Sequence, residues 1–478
     1  MNIRFLLFLF ICFSLSACEK DDSTGSDDRS ATLKWIENTM REHYYWYKEI
    51  PAAGKLNYTR EPEDFFYSLL SKEDGKDYMN SAGQMQHYYF STIEELSDGD
   101  TRSSIQEDNS YGFEFTTVYI NDAKELYALI LYVLKDSPAY EAGLRRGDWI
   151  IKINDKAITD ANYQSLFGDE ACTLTMAKWN STDKRFVVQP DNVEIVSARK
   201  VEDNPVYFWD VIESPVKKKR IGYLVYNHFS MGKNDDDTSY DDKLKELSGS
   251  EFNGVDEFVL DLRYNNGGFI SSGILLCSIL QPGSALGTEL GYMQYNDKQR
   301  NRKRSFKTGT EQLGTTGRNL NLRTLYVLVS GSTASASEMV INSLTPFMNV
   351  VVIGETTIGK NVGSVEYTSN DKKWEMHPIV CKIYNSTGFT EYEDGIEPDV
   401  ELNEAFIPVA PRVVEPTEVL PLGNPEERLL KAAIDLIDET TTKTRSTDTP
   451  GMVTYRKAPI NSIDRKATGS VIIDTHGI

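Results

Sequence analysis

Basic charge is what this 478-residue chain lacks: 51 Lys and Arg stand against 72 Asp and Glu, for a formal net charge of −21. So acidic a chain has no broad basic surface to neutralise phosphates, which argues against a general nucleic-acid binder. Histidine and cysteine are scarce too, five of each, and none falls in the paired short spacings of a structural zinc site. The opening apolar run, Phe5–Phe13, is too short to cross a bilayer as a helix. What is present is the composition of a globular protein, 40% hydrophobic, 26% charged and 11% aromatic, which excludes a mostly disordered or collagen-like chain. The length is about two to three times that of a usual domain, so more than one core is expected.

The first residues, with Arg4 ahead of the apolar run, have the shape of a secretory signal. They end in Leu15-Ser16-Ala17-Cys18, which resembles a bacterial lipobox and implies lipidation at Cys18. Glu19–Ser30 carries Asp21, Asp22, Asp27 and Asp28 among Ser, Thr and Gly, and reads as a solvated tether. From Ala31 to about Asp98 the pattern is helical and aromatic: Trp35, Met40 and Tyr44-Tyr45-Trp46-Tyr47 precede Phe65, Phe66, Leu69 and Leu70, which share one face. No repeat of solenoid period is found. Of the later cysteines, Cys172, Cys277 and Cys381, Cys277 sits in an apolar helical pattern and is expected in the core.

Between about Arg102 and Arg199 the pattern turns to short strands, Gly112–Val118, Tyr127–Leu134 and Trp149–Ile153. The stretch Ser137–Asp148 reads as a short helix closed by Gly143 and a turn at Gly147-Asp148. With Ile150–Lys156 it resembles the SPA-x-x-AGL-x-x-GD segment of a bacterial PDZ domain. Such domains bind an extended peptide as an added strand, and the resemblance points to Tyr111, Gly112, Phe113 and Phe115 as the peptide-binding loop and strand. Glu114 stands where that pattern often has a second Gly, and its charge would oppose a peptide carboxylate if it pointed inward.

From Ile221 strands and helices alternate: Ile221–Tyr226 and Glu257–Arg263 read as strands, about Phe269–Leu280 as a helix, and Leu325–Val329 and Val350–Gly354 as strands. Their near-continuous apolar runs suit strands buried on both faces, hence an α/β layer. A last helix is read over Pro425–Ile437, followed by a Thr-, Ser- and Lys-rich tail without clear period.

The strand Leu325–Val329 runs into Ser330-Gly331-Ser332-Thr333-Ala334-Ser335-Ala336-Ser337-Glu338 and then a helical stretch to Leu344. Strand, small-residue turn and helix leave a Ser side chain at a helix N-terminus beside free backbone N–H groups, which can stabilise an oxyanion. Small-residue turns also serve packing alone. A second segment, Val351–Lys360, ends a buried-looking strand in Glu355-Thr356-Thr357-Ile358-Gly359-Lys360. Together the two resemble the carboxyl-terminal-processing (tail-specific) serine peptidase family, whose S-A-S-A-S-E and G-E-x-T-x-G-K patterns set the nucleophilic Ser 25 residues before the general-base Lys; Ser335 and Lys360 are 25 residues apart. A Ser hydroxyl is a weak nucleophile at neutral pH and needs a base in contact. A Lys can be that base only where burial disfavours its ammonium, so the resemblance implies a Lys360 that is enclosed, neutral and facing Ser335.

Asp261–Gly268 resembles the family's D-L-R-x-N-x-G-G, which makes Gly267 or Gly268, with Ala336, the oxyanion-hole candidates and gives Asp261 and Arg263 the task of fixing the loop. Asp394–Val400 resembles G-I-x-P-D-V and reads as structural. One position departs: the family often has a Gln four residues after the Lys, and this chain has Ser364. Ser364 and Glu338 are the candidates for a third member of the site. His228, near Tyr226 and Phe229, reads as a packed neighbour rather than a second base.

The expectation is a ClpP/crotonase-like α/β catalytic core preceded by an N-terminal helical segment and a β-rich PDZ domain. The divisions are a signal at 1–17, an acidic tether at 18–30, a helical domain at 31–101, the PDZ at 102–200, the catalytic domain at 201–440 and a tail at 441–478. The resemblance implies a membrane-anchored serine endopeptidase that cleaves extended or unfolded polypeptides through an acyl-enzyme, recognising them by their C-termini, with the PDZ capturing or gating them. It implies no metal or organic cofactor, no nucleic acid, and a lipid-anchored place in a bacterial cell envelope, facing the periplasm or the cell surface and on the outer membrane. A second reading, motivated by the absent Gln and by Glu114, is an inactive peptide-binding lipoprotein that keeps the peptidase fold.

Overall fold

Apolar runs without alternation demand cover on both faces, and the strands from Val206 onward obtain it. In the computed structural model, which describes residues 23–79, 84–96, 109–120, 125–168, 170–234, 236–410, 413–440, 455–463 and 471–472, a six-stranded sheet has the order Val206–Glu213, Arg220–Tyr226, Glu257–Asp261, Thr324–Val329, Asn349–Gly354, Val400–Glu401. The first pair is antiparallel and the rest parallel. Ile270–Leu280 and Ala336–Leu344 cover one face together with Ser239–Gly249, and Arg428–Ile437 lies on the other. Cys277 is fully buried in the first layer, and Cys172, Cys277 and Cys381 are all unpaired thiols.

Register fixes where the chemistry goes. Asp261 pairs with Leu328, and Val329 with Gly354, so three parallel strands finish side by side. The loops after them hold Gly267, Ser335 and Lys360, and the carboxyl edge of such a sheet is where ligands bind in α/β folds.

The PDZ sheet is built from Phe113–Ile120, Glu125–Val133, Trp149–Ile153, Lys156–Thr159, Cys172–Asn180 and Arg185–Val188. Leu129, Leu131 and Trp149, on the face opposite the domain's own core of Ala128, Ile130 and Ile150, share a core with Tyr223, Val259 and Leu328 of the catalytic sheet. A charged lock adds to this apolar contact. Arg146 of the PDZ reaches Glu404 (2.7 Å), which also accepts from Arg263 (3.1 Å) and the Tyr264 hydroxyl (2.6 Å). Arg263 has no exposure and further pairs with Asp261 (2.8 Å) and Glu427 (2.7 Å), so the expected loop-fixing pair is part of a larger buried network. Burial pushes the Glu427 carboxyl up, but Arg263 and Arg146 overcome it and hold it at about 2. The network joins the PDZ to the Asp261–Gly268 loop through Arg146, Glu404 and Arg263.

Three stretches differ from the sequence expectation. The first helix, Ser23–His43, begins inside the segment read as a tether, while the leader and Cys18 lie outside the described residues. Past Tyr67 the helical reading gives way to strands: Lys76–Met79 pairs with Met85–Tyr88, and Thr92–Glu95 pairs with Trp374–His377 of the catalytic domain. The tail also contains strands, Tyr455–Asn461 and Val471–Ile472. In the last two cases most of the pairing is with residues remote in sequence, which no local period reveals. Among the described residues no helix is long and apolar enough to cross a membrane.

Candidate active site

Ser335 sits at the strand-to-helix turn with φ 64° and ψ −115°, a left-handed conformation that costs a non-glycine residue about 1–3 kcal/mol and is held only where surroundings impose it. What imposes it is Glu338, one turn into the helix and fully buried. Its Oε2 accepts from the Ser335 N–H (2.8 Å) and the Lys360 N–H (2.8 Å); its Oε1 accepts from the Gly359 N–H and the Thr357 hydroxyl, each at 2.5 Å. One carboxylate oxygen thereby brings the backbones of Ser335 and Lys360 within two hydrogen-bond lengths of each other. Burial pushes the Glu338 carboxyl up in pKa, against the pull of those four donors. With both oxygens engaged this way, Glu338 acts on the main chain of the site rather than as a free third member.

The Lys360 turn is pinned from behind by the structural motif. The Ile396 N–H donates to Thr357 Oγ1 (2.8 Å), and Asp399 and Val352 exchange two bonds of 2.8 Å through the Asp399 carboxylate and both main chains. A Cβ on Gly359, at φ 92°, would stand 2.3 Å from the Glu393 carbonyl oxygen. The two turns therefore meet backbone to backbone.

Lys360 is 2% exposed, with Nζ 5.0 Å from the centre of the Phe90 ring. Burial lowers its pKa to about 8, while the negative charges of Asp74 and Glu338 hold it up. Asp74 is itself fully buried in the N-terminal domain, where it accepts from Tyr44, Ser91 and the Phe90 N–H. Enclosure thus moves Lys360 toward the neutral range while the two carboxylates still favour its ammonium. Nor, among the described residues, does it bond to the Ser335 Oγ, which has no exposure and lies over the Glu338 N–H of its own capping box. An ammonium is drawn toward the Phe90 face and the Asp74 carboxylate, and these attractions weaken when the amine is neutral. Ser364, four residues on, is buried, and its Oγ lacks a partner among the described residues.

Gly267 packs on the serine so closely that a Cβ there would lie 2.6 Å from Ser335 Cβ, 2.9 Å from its Oγ and 3.0 Å from the Ala336 nitrogen. Its own N–H donates to Asn265 Oδ1 (2.8 Å), whose amide in turn donates to the Tyr226 carbonyl. Gly268 abuts the Phe229 carbonyl, and among the described residues nothing accepts from its N–H. Among the described residues the Ala336 N–H, at the first position of the helix, has no main-chain acceptor either. His228 has its Nε2 2.8 Å from the Asp203 carbonyl oxygen. The Tyr111, Phe113 and Phe115 rings belong to the PDZ core. Sequence reading missed Asp74, Phe90, Thr357 and Asn265; only Asn265, inside the Asn-Asn-Gly-Gly run, carried a local signal.

Residues 220–402 match peptidase family S41, residues 31–92 the N-terminal domain of S41 peptidases, and residues 129–175 a PDZ domain. A crystal structure from Bacteroides fragilis, described as an S41 protease, is 32% identical, with a TM-score of 0.72 over 85% of this chain and 98% of the other. The chain belongs to peptidase family S41. The carboxy-terminal processing protease CtpA of Bacillus subtilis is 26% identical over 307 residues, 64% of this chain and 59% of the relative. The carboxyl-terminal-processing protease of a Picosynechococcus species is 26% identical over 326 residues, 67% and 69% of the two chains. The S41 match to CtpA thus spans less than two thirds of that relative's length.

Proposed function

We propose that the protein is a serine endopeptidase of the carboxyl-terminal-processing kind, acting on extended or unfolded polypeptide with Ser335 as nucleophile and Lys360 as base. The observation that carries this reading is the shared Glu338 oxygen, which ties the serine turn to a lysine whose burial brings its pKa to about 8. Neutral Lys360 takes the Ser335 proton as Oγ attacks the scissile carbonyl, and the tetrahedral oxyanion is received by the Ala336 and Gly268 amides. Collapse expels the amine, protonated by the Lys360 ammonium, and leaves an acyl-enzyme on Ser335; water then attacks that ester with Lys360 again as base. The strain at Ser335 and the close approach of Gly267 fit a turn shaped to present a hydroxyl.

The PDZ supplies a strand edge for the polypeptide, and the Arg146–Glu404–Arg263 network couples that edge to the Gly267–Gly268 loop. Lipidation at Cys18 would hold the enzyme on the envelope membrane. Labelling with a fluorophosphonate tests the site directly: the adduct is expected on Ser335 and to be lost in Lys360→Ala. A chain that stays unlabelled while folded sinks the reading in favour of a binding protein.

A further inference from the structure

The last described segments of the chain lie where a polypeptide ligand would lie. PDZ recognition adds a strand to an exposed sheet edge. The strand after the Tyr111-Gly112 loop, Phe113–Ile120, has one edge taken by Glu125–Val133. Its other edge carries Tyr455–Asn461 of the same chain, antiparallel, with Tyr455 opposite Ile120, Lys457 opposite Val118 and Asn461 opposite Thr116. The segment therefore runs toward the loop. At its end the Phe115 N–H donates to Ser462 Oγ (2.7 Å), and Ser462 is buried.

The chain does not stop at the loop as a free carboxyl terminus would. One residue on, the Ile463 carbonyl accepts from Asn266 Nδ2 (3.1 Å), and Asn266 adjoins the Gly267 that packs on Ser335. Further on, Val471 and Ile472 lie parallel to Gly363 and Ser364, just past Lys360. Stretches close together in sequence thus take the PDZ edge, touch the glycine loop and pair beside the lysine. A chain running through also brings no terminal carboxylate to Glu114, which is buried at the start of the PDZ strand.

We infer that residues 455–463 and 471–472 are a tethered internal ligand of the PDZ edge and of the strand beside Lys360, which an incoming polypeptide must displace. Tethering gives such a ligand an effective concentration of about millimolar. An external polypeptide then sees only the fraction of molecules whose edge is open, so its apparent affinity falls by that fraction. The displacement of a substrate rests on the peptidase reading; the occupancy of the edge does not.

The test compares the full chain with one shortened to end at Thr440, each in Ser335 and Ser335→Ala forms. A fluorescent peptide of residues 455–472 is titrated into the two Ser335→Ala proteins by anisotropy, and cleavage of an unfolded casein is followed with the two Ser335 proteins. Saturable binding to the shortened chain is expected, about tenfold weaker to the full chain, with kcat/KM raised about tenfold by the shortening. If the shortened chain does not melt cooperatively, full-length Arg456→Pro/Lys457→Pro takes its place, because proline cannot donate to a strand ladder. Absence of binding, equal binding by both chains, or an unchanged kcat/KM between two active chains overturns the inference. Binding as expected with no cleavage by either Ser335 protein upholds the internal ligand and overturns the peptidase reading instead.

Discussion

Replacing Glu338 by Gln weakens the clamp that joins the serine and lysine turns. A glutamine has one acceptor oxygen: with its NH2 toward the Ser335 and Lys360 amides it loses both bonds, and with its NH2 turned the other way it loses the Gly359 amide while the Thr357 hydroxyl can rotate to accept. Hydrogen bonds to a charged group are each worth about 1.5–3 kcal/mol, and a neutral side chain recovers part of the cost of burying the carboxylate, so a net loss of about 3 kcal/mol is expected. For a cooperative unit of this size that lowers the melting temperature by roughly 10 °C. Misplacing reacting groups by about 1 Å can cost a hundredfold, so kcat on unfolded casein should fall at least about tenfold in molecules that remain folded. Differential scanning fluorimetry and initial rates on the same preparation check both. A variant with wild-type melting temperature and rate would refute the clamp.

Gly267→Ala puts a methyl 2.9 Å from the Ser335 Oγ at a backbone φ of 116°; turnover should fall about 10²–10³-fold while circular dichroism shows a folded chain, and retained turnover would mean that substrate does not approach from this side. Because the base must be neutral and the Lys360 pKa is lowered to about 8, kcat/KM should rise with pH to a plateau above about 8. The Asp74 charge favours the ammonium, so Asp74→Asn should move that rise toward lower pH; a midpoint that moves upward contradicts the assignment.

Much of this was legible because local pattern and local structure coincide. The helix read over Phe269–Leu280 is found at Ile270–Leu280, and the strand read over Leu325–Val329 at Thr324–Val329. Both are apolar enough to be buried wherever they pack. The surroundings of Lys360 were not legible. Phe90 and Asp74 come from a domain far away in sequence, and the Thr92–Glu95 strand that seats them is specified by its partner Trp374–His377. The same non-local pairing hid the tail strands. Glu338 was visible as a carboxylate near Ser335, but its actual duty depends on a main-chain turn from the following strand, which sequence spacing alone does not place.

Joint action of Ser335 and Lys360 in the chemistry is tested most directly by removing each side chain singly. Cleavage of unfolded casein by wild type, Ser335→Ala and Lys360→Ala, each verified as folded, should show activity only in the wild type. Undiminished cleavage by either variant would contradict the account.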